Sequence, residues 1–188
     1  MKRVGFIGEG ESETIILNSD SFQDLLNRKN VESVGVFDAG GIDNLKNYNT
    51  KVDSFIKIFN DRKADKIFFL GDLDFEKCLV NQKNSFYRYD EKQVIVISVR
   101  AIEAWYLADS VTLSSIFKKK YIYSQPENTE DLPFEVLKKE FLQETGRGIG
   151  SKVRLSHYMI RNGFSIENAI QHKNCKSIQY FFIKLFTN

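Results

Sequence analysis

The sequence predicts an α/β protein built on a mainly parallel central sheet of about four strands, flanked by helices and followed by a helical C-terminal part. Short apolar runs such as Ile67-Phe68-Phe69-Leu70 alternate with longer segments whose apolar residues recur every three or four positions. Unbroken apolar runs are typical of strands buried on both faces of a parallel sheet. The amphipathic segments then supply the helices that cover the sheet.

The order of these segments predicts two parts in the chain. Strands are predicted at residues 3–8, 31–37, 66–70 and 94–99. Helices are predicted at 12–27, in a segment that ends near 61, and at 101–108, 133–144, 151–162, 165–172 and 177–186. A short helix or turn is predicted at 75–80 and a surface loop at 121–131. We therefore expect an α/β domain over 1–120 and a helical extension over 121–188 that packs on it.

The composition fits a globular chain with a substantial core. The protein has 188 residues, of which 42% are hydrophobic and 16 are Phe. The two cysteines form no CxxC motif, the chain starts directly with a predicted strand, and no apolar run approaches the roughly 20 residues of a membrane span. We expect a cytoplasmic protein with no zinc site and no membrane association.

The charge is nearly balanced overall but unevenly distributed. The net charge is +2, and residues 133–188 carry +5 whereas the rest of the chain carries −3. An acidic front with a basic tail would suit a metal site beside a groove for a polyanion. The alternative is ordinary variation over a solvated helical surface.

The first predicted strand ends in a glycine turn that presents an acid. Gly8 and Gly10 bracket Glu9, and Ser12 is the expected N-cap of the following helix. Turns after parallel strands are where open α/β sheets build their sites. The glycine spacing matches neither a dinucleotide fingerprint nor a Walker loop. A carboxylate here, where amides should meet phosphate, suggests a metal and counts against a Rossmann-like nucleotide binder.

A second pair of acids follows the third predicted strand. Asp72 and Asp74 are two positions apart, and such residues point to one side of an extended backbone. Together with Glu9 they would form a three-carboxylate cluster, in which each pair at 4 Å costs roughly 4 kcal/mol at an effective dielectric constant near 20. A cluster of this kind needs protonation or a cation, and oxygen ligands suit Mg²⁺ or Mn²⁺.

Several of these acids also have purely structural explanations. Asp74 could cap a helix that starts at residue 75, and Glu11 and Glu13 would favour the dipole of the helix that they open. Asp38 is suited to an Asx turn before two glycines.

The motifs taken together resemble a known family. Residues 9–13, Glu-Gly-Glu-Ser-Glu, resemble the EGxSE motif of Toprim domains, the OLD-nuclease type in particular, and residues 71–74 resemble the DxD motif of that family. Residues 102–109 resemble a segment of small stand-alone bacterial Toprim-like proteins, some of which are linked to anti-phage defence. Residues 148–152 are similar to their glycine-containing stretch that ends in Ser-Lys. The resemblance covers 3–109 well and implies a Rossmann-like Toprim fold.

The resemblance also implies site residues. The family's metal-binding glutamate falls on Glu9 and its aspartates fall on Asp72 and Asp74, while Glu13 matches the second acid of the EGxSE form. Glu103, at the start of a predicted helix, would be either a further metal ligand or a helix-dipole residue.

Basic residues near these motifs are candidates for binding phosphate. Lys152 is the first of these and the one that we expect to contribute to catalysis, followed by Arg147 and Arg100. The alternative for each of them is ordinary surface charge in a loop.

The resemblance implies metal-assisted phosphodiester chemistry with Mg²⁺ or Mn²⁺ on nucleic acid, either DNA or RNA. Because the chain has no ATPase of the kind that OLD-type nucleases carry, a separately encoded ATPase is an expected partner. A second class stays open, namely a non-catalytic metal- or nucleic-acid-binding module that works through a partner.

Overall fold

The computed structural model describes residues 1–187 and contains one four-stranded, all-parallel sheet. The sheet order is β2-β1-β3-β4. The strands are β1 (Lys2–Gly8), β2 (Val31–Asp38), β3 (Lys66–Asp72) and β4 (Gln93–Ser98). The α/β fold and the parallel sheet predicted from the sequence are thus confirmed.

Helices connect and flank these strands. Those within the sheet region are α1 (Glu11–Leu17), α2 (Asp20–Arg28), α3 (Ile42–Lys46), α4 (Thr50–Asp61), α5 (Leu79–Asn84), α6 (Glu103–Ala108) and α7 (Ser110–Phe117). The C-terminal part contributes α8 (Pro133–Thr145), α9 (Lys152–Arg161), α10 (Ile166–Ala169) and α11 (Lys176–Phe186).

The period-two alternation of the strands divides their apolar residues between two cores. On β1, Val4 and Phe6 face one core whereas Ile7 faces the other. The helices α3 and α4 cover the second core. The first core is covered by α1, α2 and the C-terminal helices, so both faces of the sheet are buried, as the apolar strands predict.

The C-terminal helices are joined to the sheet by aromatic packing. Phe181 of α11 stacks on Trp105 at 5.5 Å between ring centroids and meets Phe68 edge-on at 5.8 Å. The indole N–H of Trp105 donates to the hydroxyl of Ser177 at 2.9 Å, which satisfies a donor that would otherwise be buried unpaired. One continuous core therefore links β1 with the last helix.

Several details of the predicted elements were wrong, among them the short helix or turn at 75–80, since α5 begins only at Leu79. The single helix predicted at 12–27 is two helices, because the side chain of Ser19 caps α2 by accepting from the N–H of Phe22. The N-cap of α1 is Gly10 and not Ser12, which lies inside the helix. The segment predicted as 165–172 is helical only over α10, although Ser165 caps it as expected.

No helix among residues 1–187 is long and apolar enough to cross a membrane.

Candidate functional site

The turn after β1 and the first turn of α1 each place a glutamate close to the sheet edge. The N–H of Glu9 donates to the carbonyl of Leu70 at 2.9 Å, which extends the β1–β3 pairing by one residue. The carboxylate of Glu13, at the third position of α1, accepts the N–H of Gly10 at 2.9 Å. Gly8 makes this contact possible, since a Cβ at that position would lie 2.6 Å from the Cβ of Glu13.

Asp72 lies directly beside Glu9. Its N–H donates to Oε2 of Glu9 at 3.0 Å, and its own Oδ1 accepts the N–H of Ile102 at 2.9 Å. The side chain of Gln82 donates to the Asp72 carbonyl at 2.7 Å. Asp72 is the last residue of β3, which runs two residues further than predicted. Its bond to Ile102 links β3 to the loop before α6.

Asp74 takes a different position from Asp72. The extended backbone assumed for this pair was wrong, because β3 ends at Asp72 and Asp74 has a left-handed φ of 50°. The N–H of Asp74 donates to the carbonyl of Arg100 at 2.7 Å, and its side chain lines a separate cavity with Lys46 and Phe75. Asp74 does not cap a helix either, since α5 begins at Leu79.

Glu103 is the most deeply buried of these acids. It opens α6, its side chain is fully buried, and among residues 1–187 neither carboxylate oxygen has a hydrogen-bond partner. The ammonium of Lys152, at the start of α9, lies 3.6 Å from its Oε1. This distance is that of an ion pair and is too long for a hydrogen bond.

Burial dominates the electrostatics of this cluster. It raises the pKa of Glu13 to about 8, with smaller contributions from the charges of Glu9 and Glu103. The pKa of Asp72 is raised well above its usual range by burial and then by the charge of Glu13, and burial likewise raises the pKa of Glu9 and of Glu103. Burial would lower the pKa of Lys152, but the charges of Glu103 and Asp72 raise it.

These side chains line one cavity of about 390 Å³ at the carboxyl end of the sheet. We call it the acidic cavity, and its charged residues are Glu9, Glu11, Glu13, Asp38, Asp72, Glu103 and Lys152. The sequence had suggested only an Asx turn for Asp38. That turn is confirmed, because Asp38 accepts the N–H of Gly40 at 2.6 Å, but the residue also lines the cavity. The signal for this was its place at the carboxyl end of a strand.

The donor chemistry of the acidic cavity fits a hard divalent cation. Backbone N–H groups occupy one oxygen each of Glu9, Glu13 and Asp72, and a carboxylate has acceptor capacity beyond one such bond. The buried oxygens of Glu103 lack partners altogether within the described residues. In residues 1–187, however, no three His, Cys, Asp or Glu side chains are already close enough together to hold one ion. Binding would therefore need these side chains to rearrange.

The two arginines proposed as phosphate ligands lie elsewhere. Arg100 donates to the carbonyl of Glu130 at 3.3 Å and lies over the ring of Phe75. Arg147 lines a larger cavity on the other side of α9 from Lys152. Of the three basic candidates, Lys152 alone lines the acidic cavity.

Comparison of the chain with protein-family models, with curated proteins and with solved structures gave no match.

Proposed function

We propose that this protein is a metal-dependent nuclease, or a related phosphoryl-transfer enzyme, that acts on nucleic acid phosphodiesters with Mg²⁺ or Mn²⁺. The observation that supports this is the convergence of three buried acids, the half-buried Glu9 and one lysine, from distant parts of the chain, at the carboxyl edge of a parallel sheet. The acids are Glu9, Glu13, Asp72 and Glu103, and the lysine is Lys152.

The arrangement opposes stability in the absence of a ligand. Four ionised carboxylates and one ammonium would leave a local charge of −3, and the side chains of Glu13, Asp72 and Glu103 are largely removed from water. The raised pKa values of these acids express the same cost. Perturbed carboxylates in a cleft are typical of functional sites. A purely structural role would be served better by neutral or apolar residues.

The residues divide into a cation-binding group and a phosphate-binding group. Glu9, Glu13 and Asp72 would hold the cation, because the backbone N–H bonds fix one oxygen of each and orient the other. When bound, a divalent cation supplies positive charge against the phosphodiester and lowers the pKa of water. Lys152 would bind the phosphate. Glu103 lies behind Lys152 and would position its ammonium.

Asp74 would act from a second position. Its charge is close enough to raise the pKa of Glu9 after the larger effect of burial, so it belongs to the same electrostatic region. Its place outside the acidic cavity makes it a candidate ligand for a second cation or for a water.

The experiment is cleavage of plasmid, single-stranded DNA and tRNA with Mn²⁺ or Mg²⁺. Asp72→Asn keeps the oxygen that accepts from Ile102 but removes the charge, so we expect folding to survive and cleavage to fall by orders of magnitude. Asp43→Asn is the matched control, since Asp43 is exposed on α3 and makes the same chemical change outside the acidic cavity.

Two outcomes would contradict the proposal. Equal cleavage by the wild type and Asp72→Asn would place the activity at another site or in a contaminant. Absence of cleavage by the wild type, alone and with a separately encoded ATPase, would favour the non-catalytic binding module.

A further inference from the structure

A second cavity, next to the acidic one, has the opposite charge. It has a volume of about 1040 Å³ and lies between the end of α7, the helix α8, residues 147–150 and the outer face of α9. Its lining includes four cationic residues and no acidic one; the four are Lys118, Arg147, Arg154 and Arg161. We call it the basic cavity.

The cations of the basic cavity lack acidic partners. Each of the four side chains is exposed, and within residues 1–187 no salt bridge involves any of them. Neighbouring Lys119, by contrast, pairs with Glu144 at 2.5 Å. Like charges that face one concave space repel each other, so the cavity favours a ligand with several negative charges.

The outer face of α9 arranges these groups at helical spacing. Arg154, His157, Tyr158 and Arg161 follow each other at i, i+3, i+4 and i+7 and line the cavity, while Leu155 and Met159 on the opposite face are buried in the core. The packing of that inner face holds the cationic face in place. Arg154 and Arg161 are about 10 Å apart along the helix axis, so each can bind a different phosphate.

Aromatic rings lie between the cations. Tyr158 packs edge-on against Phe141, with 5.6 Å between the ring centroids and 81° between the planes, and both rings line the cavity. Tyr158 remains 39% exposed, so part of its ring is available to a ligand. Aromatic surface among cations is the usual means of binding single-stranded nucleic acid without reading its sequence.

We propose that the basic cavity binds a short single-stranded segment of nucleic acid, with phosphates on Arg147, Arg154 and Arg161 and a base stacked on Tyr158. The volume lies at the top of the range of about 300–1,000 Å³ found for small-molecule sites, so it has room for more than a mononucleotide. A duplex keeps its bases stacked inside and could not offer one to Tyr158.

The basic cavity lies next to the acidic cavity, so nucleic acid bound in the one could reach the other. Lys152 begins α9 at the acidic cavity, and Arg154 lines the basic cavity two residues later. A strand held along the outer face of α9 would pass round the start of this helix, where Lys152 lies, to bring its phosphates to the acids. In naming single-stranded nucleic acid as the substrate class, this inference rests on the proposed function, although the binding itself requires neither metal nor cleavage.

The test is the binding of a fluorescein-labelled 12-nucleotide single-stranded DNA, followed by anisotropy in EDTA. Arg154→Ala/Arg161→Ala should lower the affinity about tenfold or more and reduce the slope of log K against log salt by about 1.4, as expected for two lost phosphate contacts. The matched control is Arg88→Ala/Lys173→Ala, which removes the same charge from exposed positions outside the cavity. It should change the affinity less than about twofold.

A second arm tests the stacked base. Tyr158→Leu should weaken binding of the normal oligonucleotide by about 5- to 160-fold, which corresponds to 1–3 kcal/mol per stacked base. It should leave binding of an abasic oligonucleotide of the same length unchanged, because that probe keeps the phosphates and lacks the bases. Thermal unfolding of each variant, measured by circular dichroism, checks that the fold is retained.

The outcomes separate this inference from the proposed function. Three results would each overturn the inference. The first is equal affinity of the two double variants, and the second is an effect of Tyr158→Leu on the abasic probe as large as on the normal one. The third is tighter binding of AMP or of a duplex than of the single strand. Loss of binding in the cavity variant together with a wild type that never cleaves would support the cavity and refute the nuclease. Metal-dependent cleavage with unaltered binding by the cavity variant would do the reverse.

Discussion

Replacing Glu13 by Gln should make the metal-free protein more stable at alkaline pH and leave its stability at acid pH unchanged. The carboxyl group of Glu13 is buried against Gly8 and accepts the N–H of Gly10. A glutamine has the same shape and can accept the same hydrogen bond, so the cap of α1 survives the change. What disappears is a group that must either hold a proton or ionise without water.

The sign and the magnitude follow from the pKa of Glu13, which is raised from 4.5 to about 8. Between these two values the folded protein binds the proton and the unfolded chain does not, so the free energy of unfolding falls as the pH rises. The full difference is about 5 kcal/mol, and it is reached above pH 8. This is comparable to the whole stability of a small domain, which is about 5–15 kcal/mol.

The assay is urea unfolding of the wild type and Glu13→Gln in EDTA at several pH values from 5 to 9. We expect the two proteins to agree within about 1 kcal/mol near pH 5 and the variant to be more stable by several kcal/mol at pH 8–9. Glu11→Gln, which makes the same substitution at an exposed position in the same helical turn, is the matched control for the loss of one carboxylate near the start of α1. If the difference between Glu13→Gln and the wild type does not change with pH, Glu13 is not the buried, protonated group that we describe.

Three further predictions concern the acidic cavity and the packing of the neighbouring strand β3. Millimolar Mn²⁺ should stabilise the wild type by about 2.7 kcal/mol at 100-fold over Kd, with reversal by EDTA, and Asp72→Asn should lose this response; a retained response in calorimetry would place the ion elsewhere. Lys152→Met should destabilise the protein at pH 8 by about 1–2 kcal/mol in urea titrations. This is less than the loss expected for a fully buried ion pair, because the ammonium of Lys152 is partly solvated. The double variant Lys152→Met/Glu103→Gln should recover the lost stability. Gly71→Ala should cost about 1–3 kcal/mol in the same titrations, because the added Cβ would lie 2.8 Å from the ring of buried Phe86, and a neutral effect would show that the ring can move away.

Local residue patterns were sufficient to predict the sheet and most of its helices. The unbroken apolar runs of β1, β3 and β4 can be buried only in a sheet covered on both faces, and the apolar residues of helices such as α4 recur at helical spacing. The acids that directly follow strands could likewise be placed at one edge, because parallel strands end on the same side. Glu9 and Asp72 were brought together on this basis.

The remaining features depend on contacts between distant segments. Asp74 lines a different cavity from Asp72 and has a left-handed φ beyond the end of β3, which the pattern Asp-Leu-Asp does not reveal. The approach of Lys152 to the buried Glu103 depends on how α9 packs on α1, which no short-range pattern determines. The sequence by itself therefore determined the strands, most of the helices and the acidic edge. Tertiary packing decided which acids are buried and which lysine faces them. It also placed the cations of α9 in a separate cavity.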